Sequence, residues 1–336
     1  MATYKNIKGS TIQSLASDLP TSHAGEVWFN TTSGTFKSVV GAAAWSTGGV
    51  LPTPAAGSMA GMGTQTSALV CGSGTTTAST YSYDGSSWTV GGNLGTGRNL
   101  AAGAGASNSA AICIGGFLGP PSYATTTACE EYGGSSWTAA PANLNTGRKG
   151  SGAAGATSED CWIATGITHP PSPGTLQPAT ETFNGTAWTT ISATVDSARQ
   201  YVAAAGTTTA AVIAGGQIPP PYTAYALCES FNGTAWSVAN VLNQNRKFPR
   251  GNGTQTAAAA YGGNSAPPTS IYDDTELFDG TSWATSANMA TPRDQFGSAV
   301  TAPQMTALAV GGETPSSTDA TEELALSDTV ETITST

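Results

Sequence analysis

A seven-residue phrase recurs along this chain and constrains its fold more than any other feature. Each copy reads as an aromatic residue, a turn residue, Gly, two small residues, Trp and one more small residue. The five full copies are YDGSSWT from Tyr83, YGGSSWT from Tyr132, FNGTAWT from Phe183, FNGTAWS from Phe231 and FDGTSWA from Phe278. A sixth, degenerate copy is GAAAWST, which contains Trp45. The six Trp residues stand about 50 residues apart, a period typical of propellers and solenoids. They are Trp45, Trp88, Trp137, Trp188, Trp236 and Trp283.

Each full copy predicts a β-hairpin, because Asp-Gly, Asn-Gly and Gly-Gly turns tolerate the positive φ of a tight turn. The aromatic residue and the Trp would then pack together across paired strands. Charged residues keep the same phase: an Arg follows each Trp by about ten residues, and an acid precedes it by seven. The Arg residues are Arg98, Arg148, Arg199, Arg246 and Arg293. The acids are Glu130, Glu181, Glu229 and Glu276, with Tyr81 at this position in the first copy.

The segments between these landmarks predict two more strands in each period. One consists of small residues, and the next is apolar and usually ends in a Gly pair, as in AAVIAGG and TALAVGG. Four strands in a period near 50 make one blade of a β-propeller, and small residues suit the centre where blades converge. We therefore predict an all-β, six-bladed propeller with four-stranded blades. A strand around Ala42–Ser46 would complete the last blade, with strands near 297–326 supplying the rest, and so remove a sheet edge.

The combination of Gly-Gly, Glu-x-aromatic, Trp and Arg at this period resembles the kelch repeat. The resemblance runs from about Ala43 to Leu326, and four features keep phase in several copies. It implies a single propeller domain, which we place at residues 25–336. The residues in phase with the repeat are expected to be structural. An Arg–Glu ring that pins neighbouring blades is the main expectation, and a substrate site built from the same residues is the alternative.

A second resemblance covers the start of the chain. The residues GEVWFNTTSG, from Gly25 to Gly34, look like a hairpin that introduces tail or appendage proteins of tailed bacteriophages, particularly marine and cyanobacterial ones. From the residues alone, NTTSG reads as a turn between the strands EVWF and TFKSVV. The resemblance implies a virion protein assembled in the host cytoplasm. It indicates phage origin better than it indicates a place in the particle.

Composition excludes several function classes. Only 10% of the 336 residues are charged, but eight Trp, ten Tyr and eight Phe predict a folded chain rather than a disordered one. The formal net charge of -10 and the lack of a basic run disfavour nucleic-acid binding. The sequence has no run of about 18 apolar residues, so we expect no membrane span. The N-terminus also lacks the apolar stretch of a secretory signal peptide. The five Cys residues read as small buried strand residues.

The sequence predicts no enzyme and no cofactor. His23 and His169 are the only histidines, too few for a copper-radical oxidase site, which needs several imidazole ligands. The Arg residues occur once per repeat rather than in the cluster that a sialidase-type site needs. The Gly-rich stretch from Gly95 sits in the repeat phase, so a phosphate-binding loop is a weak interpretation. No nucleophile or acid–base pair stands out.

Long, Pro-rich loops between the second and third strands are the candidate contact surface. Loops on a rigid scaffold often carry recognition; Pro lowers the entropic cost of ordering on contact, and Tyr offers amphipathic contact area. Ordinary solvent-exposed loops are the alternative. The candidate contact residues are Pro120, Pro121, Tyr123, His169, Pro170, Pro171, Pro219, Pro220, Pro221, Tyr222, Tyr225, Pro267, Pro268 and Tyr272.

Residues 1–24 are too short to fold alone and are predicted to be an attachment arm. Tyr4, Ile7, Ile12 and Leu15 could add to a partner's sheet or groove; a strap on the chain's own propeller is the alternative. The sequence thus predicts a non-enzymatic virion protein of the tail or adsorption apparatus, in symmetric copies, with other virion proteins as partners. A capsid decoration or vertex-fibre protein is the second interpretation, and a module that binds host glycans is the third.

Overall fold

The computed structural model describes residues 13–18, 27–55, 57–74, 76–170, 174–220, 222–265 and 270–333. Every regular element in these ranges is a β-strand, and none of them contains a helix long and apolar enough to cross a membrane. The chain divides into two compact units, Trp45–Leu324 and a smaller one that combines Met1–Ala44 with Ala325–Thr336. The predicted boundary between residues 24 and 25 lies outside the described residues.

The smaller unit is organised by the hairpin that the N-terminal motif predicts. It contains β1 (Gln13–Leu15), β2 (Val27–Asn30) and most of β3 (Thr35–Thr47). β2 pairs antiparallel with β3, and β1 adds parallel to β2. The Asn30 side-chain oxygen accepts the backbone N–H groups of Thr32 and Ser33, and Gly34 takes the positive φ that ends the turn. The predicted turn in NTTSG is therefore confirmed.

The larger unit contains five antiparallel sheets of four strands, each in chain order except for short hairpins inserted between the second and third strands. The first sheet is β4 (Ala60–Thr64), β5 (Ser67–Cys71), β6 (Thr80–Tyr83) and β7 (Trp88–Val90). The second is β8 (Ala102–Ser107) and β9 (Ala110–Ile114), the inserted β10 (Phe117–Leu118) and β11 (Ala124–Thr125), then β12 (Cys129–Tyr132) and β13 (Trp137–Ala139). The third is β14 (Gly152–Gly155) and β15 (Cys161–Ala164), the inserted β16 (Ile167–Thr168) and β17 (Thr175–Leu176), then β18 (Ala179–Phe183) and β19 (Trp188–Thr194).

The fourth and fifth sheets repeat the pattern. The fourth is β20 (Ala203–Thr207) and β21 (Ala210–Ala214), the inserted β22 (Gln217–Ile218) and β23 (Thr223–Ala224), then β24 (Cys228–Phe231) and β25 (Trp236–Ala239). The fifth is β26 (Arg250–Thr254), β27 (Ala257–Tyr261), β28 (Thr275–Phe278) and β29 (Trp283–Thr285). An all-β arrangement of many four-stranded antiparallel sheets is consistent with a β-propeller, as the sequence predicts.

The last sheet draws on both ends of the chain. Its strands in the larger unit are β30 (Gly297–Ser298), β31 (Leu308–Val310) and the start of β32 (Thr321–Thr332), and the sheet order continues from β32 to β3. Gly48, directly after β3, donates its backbone N–H to the Thr321 carbonyl over 2.9 Å. Trp45 therefore lies beside a strand that is remote in sequence. The degenerate phrase GAAAWST lies wholly within β3, so it forms no hairpin turn of its own, but its strand does join the last sheet, as predicted for Ala42–Ser46.

The other five Trp residues lie where the phrase predicts. In the third sheet Phe183 pairs directly with Trp188, and their rings stack with centroids 5.1 Å apart. Asn184 caps the turn, since its side-chain oxygen accepts the N–H groups of Thr186 and Ala187, and Gly185 has a φ of 83°. The repeated phrase thus builds the hairpin of the third and fourth strands in each of the five four-stranded sheets.

Small residues in the first strands allow neighbouring sheets to approach closely. A Cβ added to Gly61 would lie 2.1 Å from the Ser298 carbonyl oxygen, and one added to Gly103 would lie 2.6 Å from that of Gly61. Both distances are impossible for a real side chain. The first strands pack as β4 on β8, β8 on β14, β14 on β20, β20 on β26, β26 on β30 and β30 on β4.

Candidate functional site

Five buried ion pairs join the in-phase Arg residues to carboxylates about 30 residues further on. Arg148 and Glu181 are the most enclosed, with both side chains fully buried and Nη2 to Oε1 at 2.6 Å. The pairs are Arg98–Glu130, Arg148–Glu181, Arg199–Glu229, Arg246–Glu276 and Arg293–Glu322. Glu322 is the one partner that the sequence analysis did not single out, because no copy of the repeated phrase with its Trp follows it. Its position after the Gly311–Gly312 pair could have identified it.

The Glu of each pair lies on the third strand of a sheet, whereas the Arg lies in the segment that connects this sheet to the one before it. The backbone N–H of Arg246 donates to the Tyr225 carbonyl of the fourth sheet, whereas its guanidinium bonds to the Gly262 carbonyl and Glu276 of the fifth. Glu276 in turn accepts the backbone N–H of Asn243 in the connection between these sheets. The arrangement fixes each connecting segment to the sheet that follows it.

Burial lowers the pKa of the Arg148 guanidinium, and the charge of Glu181 acts against that shift. All five guanidinium groups have their side chains at most 1% exposed. A substrate could not reach them without opening the fold, so their geometry suits a structural role.

The three longest Pro-rich loops are small hairpins, β10–β11, β16–β17 and β22–β23. Tyr123 and Tyr222 stand at two of the hairpin ends with positive φ, and they are 55% and 47% exposed. Pro120 and Pro121 lie in the first turn, Pro170 begins the second, and Pro219 and Pro220 the third. Pro171, Pro221, Pro267 and Pro268 lie outside the described residues.

His169 joins two of these hairpins. Its Nδ1 lies 2.7 Å from the Tyr123 carbonyl oxygen, and its own carbonyl accepts the backbone N–H of Thr125 over 2.8 Å. The His169 ring meets Phe117 edge to face at 5.7 Å, and Lys149 Nζ lies 3.8 Å above the same Phe117 ring. These contacts connect the loop that carries Tyr123 in the second sheet to the inserted hairpin of the third sheet, and so fix the position of Tyr123.

A groove between the fourth and fifth sheets contains Tyr272, the last of the predicted contact residues. Two adjoining cavities of about 690 and 440 Å³ share Tyr272, Asn243 and Gln244. Val241, 50% exposed, lines the larger, and Asp273 lines the smaller. The sequence missed Asn243 and Gln244, because the connection after β25 carries no Pro-rich signal, and it missed Asp273 because only the Pro and Tyr residues of its loop were singled out. Tyr225, also predicted, is half-buried and pairs with Arg246 instead.

Arg250 is a half-buried cation that the repeat does not require. Its guanidinium donates to the carbonyls of Phe296 and Met59. Burial lowers its pKa to about 10. Within the described ranges it has no ion-pair partner. It lines a small cavity of about 30 Å³ among the first strands, with Gly61, Gly103 and Gly152.

Of the four arm residues singled out by the sequence, Leu15 belongs to the described residues; Tyr4, Ile7 and Ile12 lie outside them. Leu15 ends β1, and its carbonyl accepts the backbone N–H of Thr31 over 2.8 Å. This residue therefore adds to the chain's own hairpin within the smaller unit.

The five cysteines are free and buried, as predicted. Cys129 and Cys228 occupy the position that is threonine in the other four sheets, directly before the acid or tyrosine of the third strand. Burial raises the pKa of both thiols to about 12. No group of three His, Cys, Asp or Glu side chains in the described residues is placed to hold a metal ion.

Comparisons with known proteins bear on the fold. No protein-family model matches this chain, and no curated protein matches it. Among solved structures, one described as the structure of YjhT superposes with a TM-score of 0.67 at 14% identity, and the match covers 84% of this chain and 99% of that one. At this identity the likeness concerns the fold alone.

Proposed function

We propose that the six sheets of the larger unit are the blades of one six-bladed, kelch-like propeller, with β3 as the outer strand of the sixth blade. The cyclic packing of the first strands, from β4 through β30 and back to β4, supports this ring. In the last sheet the strand order is β30–β31–β32–β3, so β3 lies next to β32. This is the position that the N-terminal strand must take if it closes the ring.

A chain of backbone hydrogen bonds beside the first strands supports the same closure. In four links the donor lies two positions after an in-phase Arg and the acceptor is its counterpart one sheet earlier, and Ser58 takes this place in the first sheet. The links are Leu100 to Ser58, Gly150 to Leu100, Tyr201 to Gly150, Phe248 to Tyr201 and Ser58 to Gln295. The last link joins the first sheet to the sixth. An electron-microscopy map of the isolated protein would test the ring, and seven blades or an open ring would refute it.

The indole nitrogens of the repeated Trp residues provide a third set of links. Four of the six donate to a threonine of the sheet before their own: Trp88 to Thr321, Trp137 to Thr80, Trp236 to Thr180 and Trp45 to Thr275, over 2.8–2.9 Å. Trp88 links the first sheet to the sixth, as a closed ring requires. Trp188 and Trp283 have cysteines in place of these threonines.

We infer that the protein is a non-catalytic structural protein of a bacteriophage virion, in the tail or adsorption apparatus, present in symmetric copies. The observation that carries this proposal is the second compact unit, which combines the two chain ends outside the repeat. A propeller needs only its blades, so this unit is available for attachment. It includes the hairpin whose sequence resembles phage tail and appendage proteins.

Exposed aromatic surface on that hairpin suits a protein–protein contact. Phe36 is 44% exposed and meets Phe29 edge to face at 5.2 Å. The test compares particles that carry Phe36→Ser with particles that carry Val90→Ser, a control at an exposed position on the first sheet. We expect the first change to lower incorporation of the protein into virions and the second to leave it unchanged. Equal incorporation, or absence of the protein from purified virions, would refute the proposal, and its position in a particle map would separate tail from capsid.

Host-glycan binding is a second candidate, and the Tyr272 groove favours it. An aromatic ring beside amide and carboxylate groups is suited to a sugar, because the ring takes the apolar face and the polar groups take hydroxyls. We expect host polysaccharide to bind the wild type and to bind Gln244→Ala at least tenfold more weakly, with Tyr123→Phe unchanged. Binding that is the same in all three proteins would exclude the groove, and release of sugar products would contradict a non-catalytic role.

A further inference from the structure

The first sheet lacks the ion pair that the other five contain. In those five, the Arg guanidinium donates to two backbone carbonyls as well as to its Glu. The acceptor pairs are Gly115 and Ala128, Thr165 and Ala179, Gly215 and Leu227, Gly262 and Asp274, and Gly311 and Ala320. A cradle of carbonyl oxygens for a planar cation is thus a standard part of these sheets.

The first sheet has the same cradle but no arginine. Gly72 donates its N–H to the Ser79 carbonyl, as Gly115 does to Ala128 in the second sheet, so the carbonyls of Gly72 and Ser79 correspond to the acceptor pair. Ala55 takes the place of the Arg. It follows Leu51 by four residues, as Arg98 follows Leu94, and both leucines donate equivalent backbone bonds to the sheet before.

The missing side chain leaves a cavity of about 170 Å³. Its lining residues are Thr53, Pro54, Ala55, Gly72, Ser73, Thr77, Ser79 and Tyr81. Tyr81 stands where the other sheets have Glu, and its hydroxyl lies 2.6 Å from Thr53 Oγ1. Thr53 and Pro54 are exposed, so the cavity lies at the surface. The lining residues carry backbone carbonyls and the hydroxyl groups of Thr53, Ser73, Thr77, Ser79 and Tyr81.

We infer that this cavity binds the guanidinium of an arginine side chain presented by a partner protein. A guanidinium has five N–H donors and no acceptor, which matches a wall of carbonyl and hydroxyl oxygens. The same carbonyl pair binds a guanidinium in every other sheet. The net charge of -10 favours a cationic partner. The inference is independent of the proposed virion role, since it depends only on the first sheet.

The first test uses the unmodified protein and needs no variant. N-acetyl-arginine amide is titrated against ¹⁵N-labelled protein, with N-acetyl-citrulline amide as the neutral isostere and N-acetyl-lysine amide as the other cation. We expect saturable shifts confined to the amides around Gly72, Ser79 and Tyr81, with citrulline at least tenfold weaker and lysine weaker than arginine. Equal binding of arginine and citrulline, or shifts only elsewhere, would overturn the inference.

Two variants restore the missing groups one at a time. Tyr81→Glu adds the carboxylate of the other sheets, and it should strengthen binding of the arginine amide roughly tenfold or more through a charge-assisted bond. Ala55→Arg combined with Tyr81→Glu completes the pair within the chain, so it should abolish binding and raise Tm. Tyr123→Phe serves as the control with unchanged affinity. Retained binding in the double variant would overturn the inference even if the single variant did not fold.

Discussion

Arg148→Met is the substitution that most directly tests the role of the buried ion pairs. The Arg148 guanidinium donates to the carbonyls of Thr146, Thr165 and Ala179 and to Glu181. Methionine retains much of the apolar stem but removes the charge and all four donors. Glu181 would keep only the backbone N–H of Asn145, at 2.7 Å, as a partner for a fully buried carboxylate.

The expected cost follows from that unpaired charge. Breaking a buried pair by removing one partner typically destabilises a protein by about 3–5 kcal/mol. Each lost bond to a neutral carbonyl contributes a further ~0.5–1.5 kcal/mol at most, and not additively. We therefore expect Arg148→Met to lower the free energy of unfolding by about 4 kcal/mol. Adding Glu181→Gln should recover part of this loss, because no ion then remains unpaired.

The assay is urea unfolding at neutral pH, followed by Trp fluorescence, with the two single variants and the double variant forming a cycle. Lys149→Met is the matched control, since it removes a cation from the next residue. That lysine lies over Phe117, so its loss should cost only about 0.5–1 kcal/mol. Equal destabilisation by the two Met substitutions, or no coupling between Arg148 and Glu181, would refute the reasoning.

Three further outcomes can be measured on the isolated protein. Cys129→Thr should raise the free energy of unfolding by about 0.5–1.5 kcal/mol, because it gives the buried Trp188 indole an oxygen partner. Thr180→Cys should lower it by a similar amount, because it removes the oxygen partner of the Trp236 indole. An unchanged urea midpoint in either variant would contradict the indole–threonine hydrogen bonds. The backbone N–H of Ser87, with Ser86, holds the pKa of Asp84 at about 2, below its ordinary 3.8. The stabilisation by the Asp84 carboxylate is therefore present above its unfolded pKa and lost as pH falls towards 2. Asp84→Asn should accordingly make the free energy of unfolding in urea depend less on pH in that window. An unchanged pH dependence would contradict the role of the Asp84 hydrogen bonds. Finally, thiol labelling at pH 8 should wait for unfolding, because the cysteines are buried and burial raises the pKa of Cys129 and Cys228; rapid labelling of the folded protein would contradict their burial.

Much of the fold could be predicted because its signals are local. The Asn-Gly turn at Asn184 and the aromatic pair Phe183 and Trp188 sit within six residues, so their hairpin is specified by adjacent side chains. Repetition of that phrase in phase with Arg and Glu then indicated the strand content of each sheet. The phase of the repeat also indicated that the strand around Ala42–Ser46 joins the last sheet, and β3 does lie next to β32, although the degenerate phrase at Trp45 forms no turn of its own.

The candidate sites depended on contacts between segments that the sequence does not bring near each other. The prediction from loop composition included Tyr272, but Asn243 and Gln244 come from the connection after the preceding sheet and form a groove with it only in three dimensions. Similarly, Ala55 and Tyr81 look like ordinary variation in a repeat. Only the register of Gly72 against Ser79 reveals that they replace an ion pair and leave a cavity.

The sequence by itself determined the four-stranded unit and the phase of its Trp, Arg and Glu residues, because hairpin turns and alternating strands depend on neighbouring residues. The tertiary structure decided which groups from different sheets meet. An indole finds its threonine one sheet earlier, and Arg293 finds Glu322, because packing rather than sequence distance brings these atoms together. The cavity of the first sheet belongs to this second class, since the small Ala55 side chain leaves a cavity only where the surrounding residues keep the shape that they have in the other sheets.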